Sequence, residues 1–211
     1  MILIRTSYDW LILFITLSLV GGCSYTSAQM VKTNINQPAP AVSSFSHCSG
    51  YGCSTLQRMT FKDEEWQSII AIFNDPVTTA DYERHILPQA IAMMERIIGP
   101  KTGTQNDIAR SWTITLVPKG QLDCIDESIN TTTYLELLQH AGYIRFHTIG
   151  KIAIRGQGMD LKFLHNTATL IDNETGFEFA IDSWFRANGI DADVVSLPAW
   201  IDGWKPTAPS G

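Results

Sequence analysis

An α+β fold, in which helices pack on an antiparallel sheet, is the architecture that this sequence predicts. Apolar residues recur at helical spacing over residues 60–98 and again over residues 120–142. From residue 143 onward the pattern changes to short apolar stretches separated by turns that contain glycine, which is typical of strands. Helices first and a run of strands afterwards is the α+β pattern.

Length and composition suit one folded domain. The chain has 211 residues, of which 45% are apolar, and this is ample for a hydrophobic core. The formal net charge is -6, and the basic residues are scattered along the chain. Because proteins that follow nucleic-acid phosphates concentrate their basic residues on one surface, nucleic acid is not an expected partner.

The first 22 residues are predicted to be a signal peptide. Residues 10–20 form an apolar run after a short head that contains Arg5, and this run is shorter than the roughly 20 residues that span a membrane. It ends in Val-Gly-Gly-Cys at residues 20–23, which resembles the lipobox of bacterial lipoproteins. The resemblance implies that Cys23 is diacylated and becomes the mature N-terminus. Plain secretion with cleavage nearby is the alternative.

The expected location is the cell envelope, with a lipid anchor in the outer membrane and the protein facing the periplasm. Ser24 follows the cysteine, in place of the Asp that resembles an inner-membrane retention signal. Several acyl chains would anchor the protein stably, so the membrane is an expected partner. Residues 23–46 are rich in Ser, Thr, Asn, Gln and Pro and are predicted to be a flexible tether. Residues 47–211 are predicted to form a single domain.

One disulfide is expected in an oxidising compartment. Cys48 and Cys53 are separated by Ser-Gly-Tyr-Gly, and the two glycines permit the tight loop that a local bridge needs. This pairing leaves Cys124 without a partner, and an odd cysteine in an exported protein requires an explanation. Cys124 is therefore either a small buried apolar residue or a reactive thiol.

Two helices are predicted before the odd cysteine. The first begins after Thr60 as its cap, with acidic residues in its first turn. The second covers residues 79–98 and ends at Gly99 and Pro100. Pro88 is expected to kink it or to start a fresh turn.

A third helix is predicted to begin near Cys124 and to end at Gly142. Its segment 130–133, Asn-Thr-Thr-Thr, has poor helix propensity. We therefore expect tertiary packing or side-chain hydrogen bonds to hold these residues in the helix.

The predicted strands bring two candidate side chains together. We expect strands over residues 111–117, 143–149, 151–155, 163–172 and 177–184. With residues 173–176 as a four-residue turn, Asp172 pairs with Phe177. This register makes His165 and Asp182 diagonal neighbours on one face, within reach of a hydrogen bond. The aromatic tail over residues 197–206 is expected to pack back on the domain.

Cys124, His165 and Asp182 are the candidate catalytic residues. A thiolate attacks carbonyl carbon, and a helix N-terminus supplies both a positive field and N–H groups for an oxyanion. The acidic residues around Cys124 raise its pKa unless they face away or pair elsewhere. A histidine that is held by an acid on one nitrogen and faces the thiol with the other completes the logic of a catalytic triad.

This arrangement resembles the transglutaminase-like and papain-like cysteine enzyme superfamily. The resemblance rests on a cysteine followed about 40 residues later by a histidine on a strand, and then by Asp-x-Trp on the next strand. It implies that Cys124 is the nucleophile, His165 the base and then the acid, and Asp182 the group that orients the histidine. It also implies that Trp184 shields the His–Asp pair. Gln121, at a spacing from the cysteine that differs from papain's, is a further candidate donor to the oxyanion. The fold expected from it is a transglutaminase-like core.

The predicted function is that of an exported, lipid-anchored, cysteine-dependent amide hydrolase or acyl transferase. Peptides or proteins of the cell envelope are the expected substrates, and no cofactor is expected. The rival interpretation is a non-catalytic envelope lipoprotein that uses the same fold as a scaffold or binding module. In that case Cys124 is buried and its pKa is raised by the acidic residues of the helix start.

Other candidate sites are weaker. Zinc held by Cys124, His165 and Asp182 is chemically possible, but no CxxC or HxxxH spacing supports it, so no metal is predicted. His140 and His147 are interpreted as surface or satisfied core histidines.

Overall fold

The chain has a mixed α+β fold with antiparallel sheets, which confirms the predicted class. The computed structural model describes residues 28–35, 39–111, 119–156 and 164–207. Its helices are α1 (Ala28–Ile35), α2 (Asp63–Ile70), α3 (Ala80–Thr102), α4 (Cys124–His140) and α5 (Leu197–Ile201). Its strands are β1 (Phe45–Ser49), β2 (Thr55–Met59), β3 (His147–Ile149), β4 (Ala153–Arg155), β5 (His165–Asp172), β6 (Glu178–Asp182) and β7 (Asp193–Ser196).

The predicted signal peptide, residues 1–22, and Cys23 lie outside the described residues. Within the described part of the chain, no helix is long and apolar enough to cross a membrane.

The segment predicted as a tether, residues 23–46, differs in part from a flexible linker. Its residues 28–35 form helix α1, and the helix packs against α4. Ala28 is buried with Ile129 of α4, and Lys32 forms an ion pair of 2.5 Å with Glu136. Strand β1 also begins inside this range, at Phe45, whose ring lies in the main core. Apolar residues at these positions give the segment a surface to bury, which a composition rich in polar residues conceals.

Strands β1 and β2 form an antiparallel hairpin that the sequence did not predict. Its pairing extends from Phe45 opposite Met59 to Ser49 opposite Thr55. The predicted disulfide between Cys48 and Cys53 is confirmed and closes the end of this hairpin. Four consecutive residues of the disulfide loop, 50–53, have positive φ, between 58° and 82°.

The second predicted helix begins correctly and ends later than expected. Thr79 caps α3 by accepting a hydrogen bond from the Tyr82 N–H at 3.1 Å. The helix continues through Gly99 and Pro100, so the predicted stop there is wrong. It ends at Gly103, which adopts a left-handed φ of 82° and donates its N–H to the Gly99 carbonyl. The left-handed residue that ends α3 is therefore Gly103, four positions after the predicted Gly99.

The predicted cap of α2 is also wrong. The Thr60 hydroxyl donates to the Val42 and Phe61 carbonyls and does not accept from the helix. Instead, the Glu65 carboxylate accepts a hydrogen bond of 2.9 Å from the Lys62 N–H at the start of α2.

The second sheet has the strand order β3-β5-β6-β7, and β4 also pairs with β5. All of these pairs are antiparallel. The predicted register of the β5–β6 hairpin is confirmed, since Ala168 lies opposite Ile181 and the Asp172 N–H donates to the Phe177 carbonyl at 2.9 Å. The strand predicted over residues 111–117 falls almost wholly on residues 112–118, which lie outside the described residues.

Helix α4 begins and ends close to the predicted positions and lies across one face of the sheet. Its apolar residues join α3 and the strands in the main core, which includes Leu87, Ile91, Met94, Ile98, Tyr134, Leu135, Leu138, Leu170 and Ile181. Its polar segment 130–133 is buried and hydrogen-bonded, as expected. Thr132 and Thr133 donate to carbonyls one turn earlier, and both amide atoms of Asn130 bond to the backbone of Cys48.

We predict that Gly120→Ala destabilises the fold more than Gly142→Ala. Both glycines have a left-handed φ, 87° and 81°, so both substitutions carry the same backbone strain. A Cβ at residue 120 would also overlap the Gly103 carbonyl oxygen, whereas a Cβ at residue 142 meets nothing within 4 Å. Urea unfolding of the two variants measures the difference. Equal free energies of unfolding would contradict the close approach of residues 103 and 120.

Candidate active site

Cys124 is the first residue of α4, as predicted, and its side chain is half-buried. Asp123 caps the helix, because its Oδ1 accepts hydrogen bonds from the N–H groups of Ile125 (3.0 Å) and Asp126 (2.9 Å). The Asp126 carboxylate returns the contact by accepting from the Asp123 N–H at 3.3 Å. This reciprocal pair is a capping box, so the acids next to the thiol have a structural role at the helix start.

The disulfide loop holds the same two carboxylates from the other side. Asp126 accepts hydrogen bonds from the N–H groups of Tyr51 (2.8 Å) and Cys53 (2.6 Å). Asp123 accepts from the Gly52 N–H at 2.9 Å. The bridge between Cys48 and Cys53 therefore fixes the loop that positions the first turn of α4, and with it Cys124.

His165 and Asp182 form a buried pair, as the register predicted. The His165 Nε2 and Asp182 Oδ2 atoms are 2.7 Å apart, and the two residues are 4% and 1% exposed. The Trp200 Nε1–H also donates to Asp182 Oδ2 at 2.7 Å. Trp184 covers the imidazole with a ring-centroid distance of 4.5 Å, and Phe185 lies 5.3 Å away. Aromatic rings thus exclude water from the hydrogen bond between the histidine and the acid.

The other imidazole nitrogen, His165 Nδ1, is buried and makes no hydrogen bond within the part of the chain that the structure describes. The Cys124 Sγ atom instead accepts a hydrogen bond from Asn166 Nδ2, at 3.7 Å. Asn166, which contacts the thiol, and His165, the candidate base, are thus consecutive residues of β5. No hydrogen bond joins Nδ1 to the sulfur.

The environment of Cys124 favours the neutral thiol. Burial raises the pKa of the Cys124 thiol to about 11, and the negative charges of Asp123 and Asp182 act in the same direction. Hydrogen bonds from Asn166 to the sulfur act in the opposite direction but do not overcome the burial. In the free protein at neutral pH the sulfur therefore carries its proton.

Arg155 brings a positive charge to the site that the sequence did not indicate. It lies opposite His165 on strand β4 and is buried. Its guanidinium donates to the Trp200 and Trp204 carbonyls at 2.5 and 2.9 Å and lies 4.4 Å over the Trp200 ring. Burial lowers the pKa of Arg155, while the charges of Asp182 and Cys124 favour its protonated form. Arg155 therefore holds the aromatic C-terminal segment over the His165–Asp182 pair.

Gln121 and Trp184 were predicted to assist the triad. The Gln121 amide is buried and bonded to the backbone of another loop, accepting from the Ile108 N–H at 3.0 Å and donating to the Asn106 carbonyl at 2.9 Å. Trp184 packs on His165 with the two rings tilted by 48°, and its Nε1–H donates to the Ser111 carbonyl at 3.0 Å.

The remaining histidine candidates have partners of their own. His147 is buried between Glu83, 2.8 Å from Nδ1, and Arg84, 2.9 Å from Nε2. His140 Nδ1 lies 3.1 Å from the Pro40 carbonyl. Among the described residues, no group of three or more His, Cys, Asp or Glu side chains is placed to hold a metal ion.

Two residues of the site were missed by sequence reasoning. Asn166 follows His165 directly, so its place next to the candidate base was a usable signal. Arg155 ends a predicted strand, but its place opposite His165 does not follow from the sequence, because residues 156–164 separate β4 from β5. Trp200 belongs to the aromatic tail that was expected to fold back, although its hydrogen bond to Asp182 was not foreseen.

Buried acids lie behind the helix start. Burial raises the pKa of Glu95 to about 8 and the pKa values of Asp107 and Asp126 to about 7. The pKa of Glu127 is raised well above its ordinary value for the same reason, and its carboxylate accepts from the Ser183 hydroxyl at 2.7 Å. The negative charge near Cys124 at neutral pH is therefore smaller than the number of acids suggests.

We predict that Glu95→Gln makes the stability less dependent on pH. The folded-state pKa of Glu95 is above its unfolded value, so its contribution is fully present below about pH 4.5 and is lost as pH rises through about 8. Glutamine cannot ionise, and its Oε1 can still accept the Gly189 N–H that Glu95 accepts at 2.8 Å. Thermal unfolding from about pH 5 to about pH 9 measures the effect.

The matched control is Asp75→Asn, which changes an exposed acid. The variant Glu95→Gln should lose less stability than the wild type as pH rises, whereas Asp75→Asn should follow the wild type. Parallel curves for the wild type and Glu95→Gln would contradict the assignment.

Comparison with known proteins gives no similarity from which a function can be transferred. No protein-family model, curated protein or solved structure matches the chain. The functional interpretation therefore rests on the geometry of Cys124, Asn166, His165 and Asp182.

Proposed function

We propose that this chain is a cysteine-dependent acyl-transfer enzyme with a transglutaminase-like core. The observation that carries the proposal is the buried hydrogen bond between His165 and Asp182, which is 2.7 Å long and is covered by Trp184. His165 belongs to strand β5, whose next residue, Asn166, contacts the Cys124 sulfur. An acid on one imidazole nitrogen and an unpartnered second nitrogen is the arrangement of a general base.

The hydrogen bond to Asp182 selects one tautomer of His165. An ionised carboxylate accepts only, so Nε2 carries the proton and Nδ1 presents its lone pair. His147 shows the contrasting case, since both of its ring nitrogens are bonded to protein groups. His47 also leaves a ring nitrogen without a partner, but its other nitrogen faces the Tyr134 hydroxyl and no carboxylate. His165 therefore differs from His147 and His47 in combining a carboxylate on one nitrogen, an unbonded second nitrogen and a thiol nearby.

Because the pKa of the Cys124 thiol is raised, the thiol loses its proton only as the sulfur attacks the substrate carbonyl. His165 Nδ1 takes the proton of Cys124 as the sulfur bonds to the carbonyl carbon of an amide substrate. The C–N bond then breaks, and the imidazolium returns that proton to the leaving amine, which leaves a thioester on Cys124. Water, or a second amine, attacks the thioester while Nδ1 accepts its proton. Transfer of that proton to sulfur restores the thiol and releases the acid or the new amide.

The positive charge of Arg155 supports this sequence of steps. Its guanidinium interacts favourably with negative charge on both Asp182 and Cys124. The charge offsets part of the cost of forming a thiolate in a site whose carboxylates disfavour it.

The proposed location is the periplasmic face of the outer membrane, reached through lipidation of Cys23. The support is the sequence Val-Gly-Gly-Cys at the end of the apolar leader. Envelope peptides and proteins are the substrates that this location offers.

We predict that labelling of cells with tritiated palmitate marks this protein and that Cys23→Ser abolishes the label. Cys124→Ser should remain labelled, because only the cysteine at the cleavage site is acylated. Equal labelling of the wild type and Cys23→Ser would contradict lipidation at this residue.

For the enzyme, we predict that p-nitrophenyl acetate acetylates Cys124 in a rapid first turnover. Intact-mass analysis detects one added acetyl group, and released nitrophenolate gives the rate. Cys124→Ala should not be acetylated at that position. His165→Ala should react about 100-fold to 10,000-fold more slowly, because the base is lost. His140→Ala, a change at the opposite end of α4 from Cys124, should react like the wild type.

The scaffold interpretation remains the rival, and the raised thiol pKa together with the missing Nδ1–Sγ hydrogen bond favours it. The two proposals differ in how Cys124 alkylation by iodoacetamide depends on His165. An enzyme should lose most of its alkylation rate near neutral pH in His165→Ala. Identical rates in the two proteins, together with no acetylation of the wild type, would establish the scaffold instead.

A further inference from the structure

Asn166 is the side chain whose hydrogen bonds the fold does not explain. It is 7% exposed, and its Oδ1 atom is buried and has no hydrogen-bond partner among the described residues. Its Nδ2 atom donates to Cys124 Sγ at 3.7 Å, and its backbone N–H also interacts with that sulfur. A buried amide that is half unsatisfied is costly, so a purely structural role is a poor explanation for this residue.

Two other buried amides show what a structural role requires. Asn130 accepts from the Cys48 N–H at 2.8 Å and donates to the Cys48 carbonyl at 2.9 Å. Gln121 likewise uses its oxygen and its nitrogen in bonds to the backbone of the loop that contains Asn106. Both side chains are satisfied at each end, whereas Asn166 is committed only to the sulfur.

The first turn of α4 has few donors left for an oxyanion. The N–H groups of Ile125 and Asp126 donate to the Asp123 side chain, and the Glu127 N–H donates to the Asp123 carbonyl at 3.0 Å. These three amides are therefore engaged within the helix start, and the Cys124 N–H is the amide of the first turn that no such bond engages among the described residues. Asn166 Nδ2 lies against the sulfur and offers a second donor at the reacting atom.

We propose that Asn166 is a catalytic residue whose Nδ2–H stabilises the Cys124 thiolate and then the oxyanion formed at the attacked carbonyl. This inference rests on the proposed acyl-transfer function and assigns to Asn166 the role expected of Gln121. As the C–S bond forms, negative charge leaves the sulfur and appears on the carbonyl oxygen bound to the same carbon. A donor placed at the sulfur needs only a small shift to follow that charge, and donors aimed at developing charge give large rate effects.

The test compares Asn166→Leu and Asn166→Asp with the wild type. Leucine has a similar volume and no donor, and aspartate keeps the shape but replaces the donor by an acceptor. Asn173→Ala, at an exposed asparagine of the β5–β6 turn, is the matched control. Circular dichroism and thermal unfolding establish that each variant is folded, and Asn166→Ala, which also lacks a side-chain donor, replaces any variant that is not.

Two readouts separate this role from packing. The first is the rate of Cys124 alkylation by iodoacetamide against pH, which reports the thiol pKa. Loss of a hydrogen bond to the charged sulfur should raise the pH midpoint of the alkylation rate in Asn166→Leu. At pH values below the midpoints of both proteins, the alkylation rate of Asn166→Leu should therefore be about 10-fold to 100-fold lower than that of the wild type. The second is kcat for p-nitrophenyl acetate, which should fall about 100-fold to 1,000-fold with little change in KM.

The outcomes distinguish this inference from the proposed function. A wild type that is acetylated, with Asn166→Leu matching it in both readouts, overturns the role of Asn166 and leaves the function standing. If the wild type is never acetylated, the oxyanion role fails together with the function. In that event the alkylation midpoint alone decides the contact with the thiolate: a raised midpoint supports it and an unchanged midpoint overturns it.

Discussion

The clamp between the disulfide loop and the start of α4 is the constraint on which the candidate site depends. Three backbone N–H groups of residues 51–53 donate to the carboxylates of Asp123 and Asp126, and those carboxylates cap the helix. The loop presents these donors because four consecutive residues, 50–53, have positive φ, a conformation that the bridge and two glycines help to maintain. The position of Cys124 therefore depends on a covalent bond about 70 residues earlier in the chain.

This clamp also explains an apparent conflict in the electrostatics of the site. Acids around a nucleophilic thiol oppose its ionisation, and Asp123 does raise the pKa of Cys124. The same acids satisfy N–H groups that would otherwise be unpaired at the helix start and in the loop. Stability of the helix start thus limits the acidity of the thiol. A base that acts only during attack is compatible with this limit, whereas a permanent ion pair with the thiolate is not.

The parts of the fold that sequence reasoning predicted are those set by local rules. The turn at residues 173–176 fixed the register of β5 and β6, and the alternation of side chains then placed His165 beside Asp182. The Thr79 cap of α3 and the start of α4 are likewise set by residues that are adjacent in the sequence. The β1–β2 hairpin was missed because its five-residue strands lack a clear alternation, and β2 is largely exposed. Arg155 and Trp200 reach the site through packing between distant segments, which propensity and spacing do not encode.

The place of the site at the start of β5 resolves a geometric difficulty. Neighbouring residues of a strand point to opposite faces, so His165 and Asn166 cannot both face α4. Asn166 shares the face of Ala168 and Leu170, which pack in the core with α4, and it meets the sulfur there. His165 lies on the other face, under Trp200, but it is the first residue of the strand. A side chain at a strand end can approach a group at the rim of either face. Under the proposed mechanism the sulfur therefore lies at this rim, with its hydrogen-bond donor on one side and its base on the other.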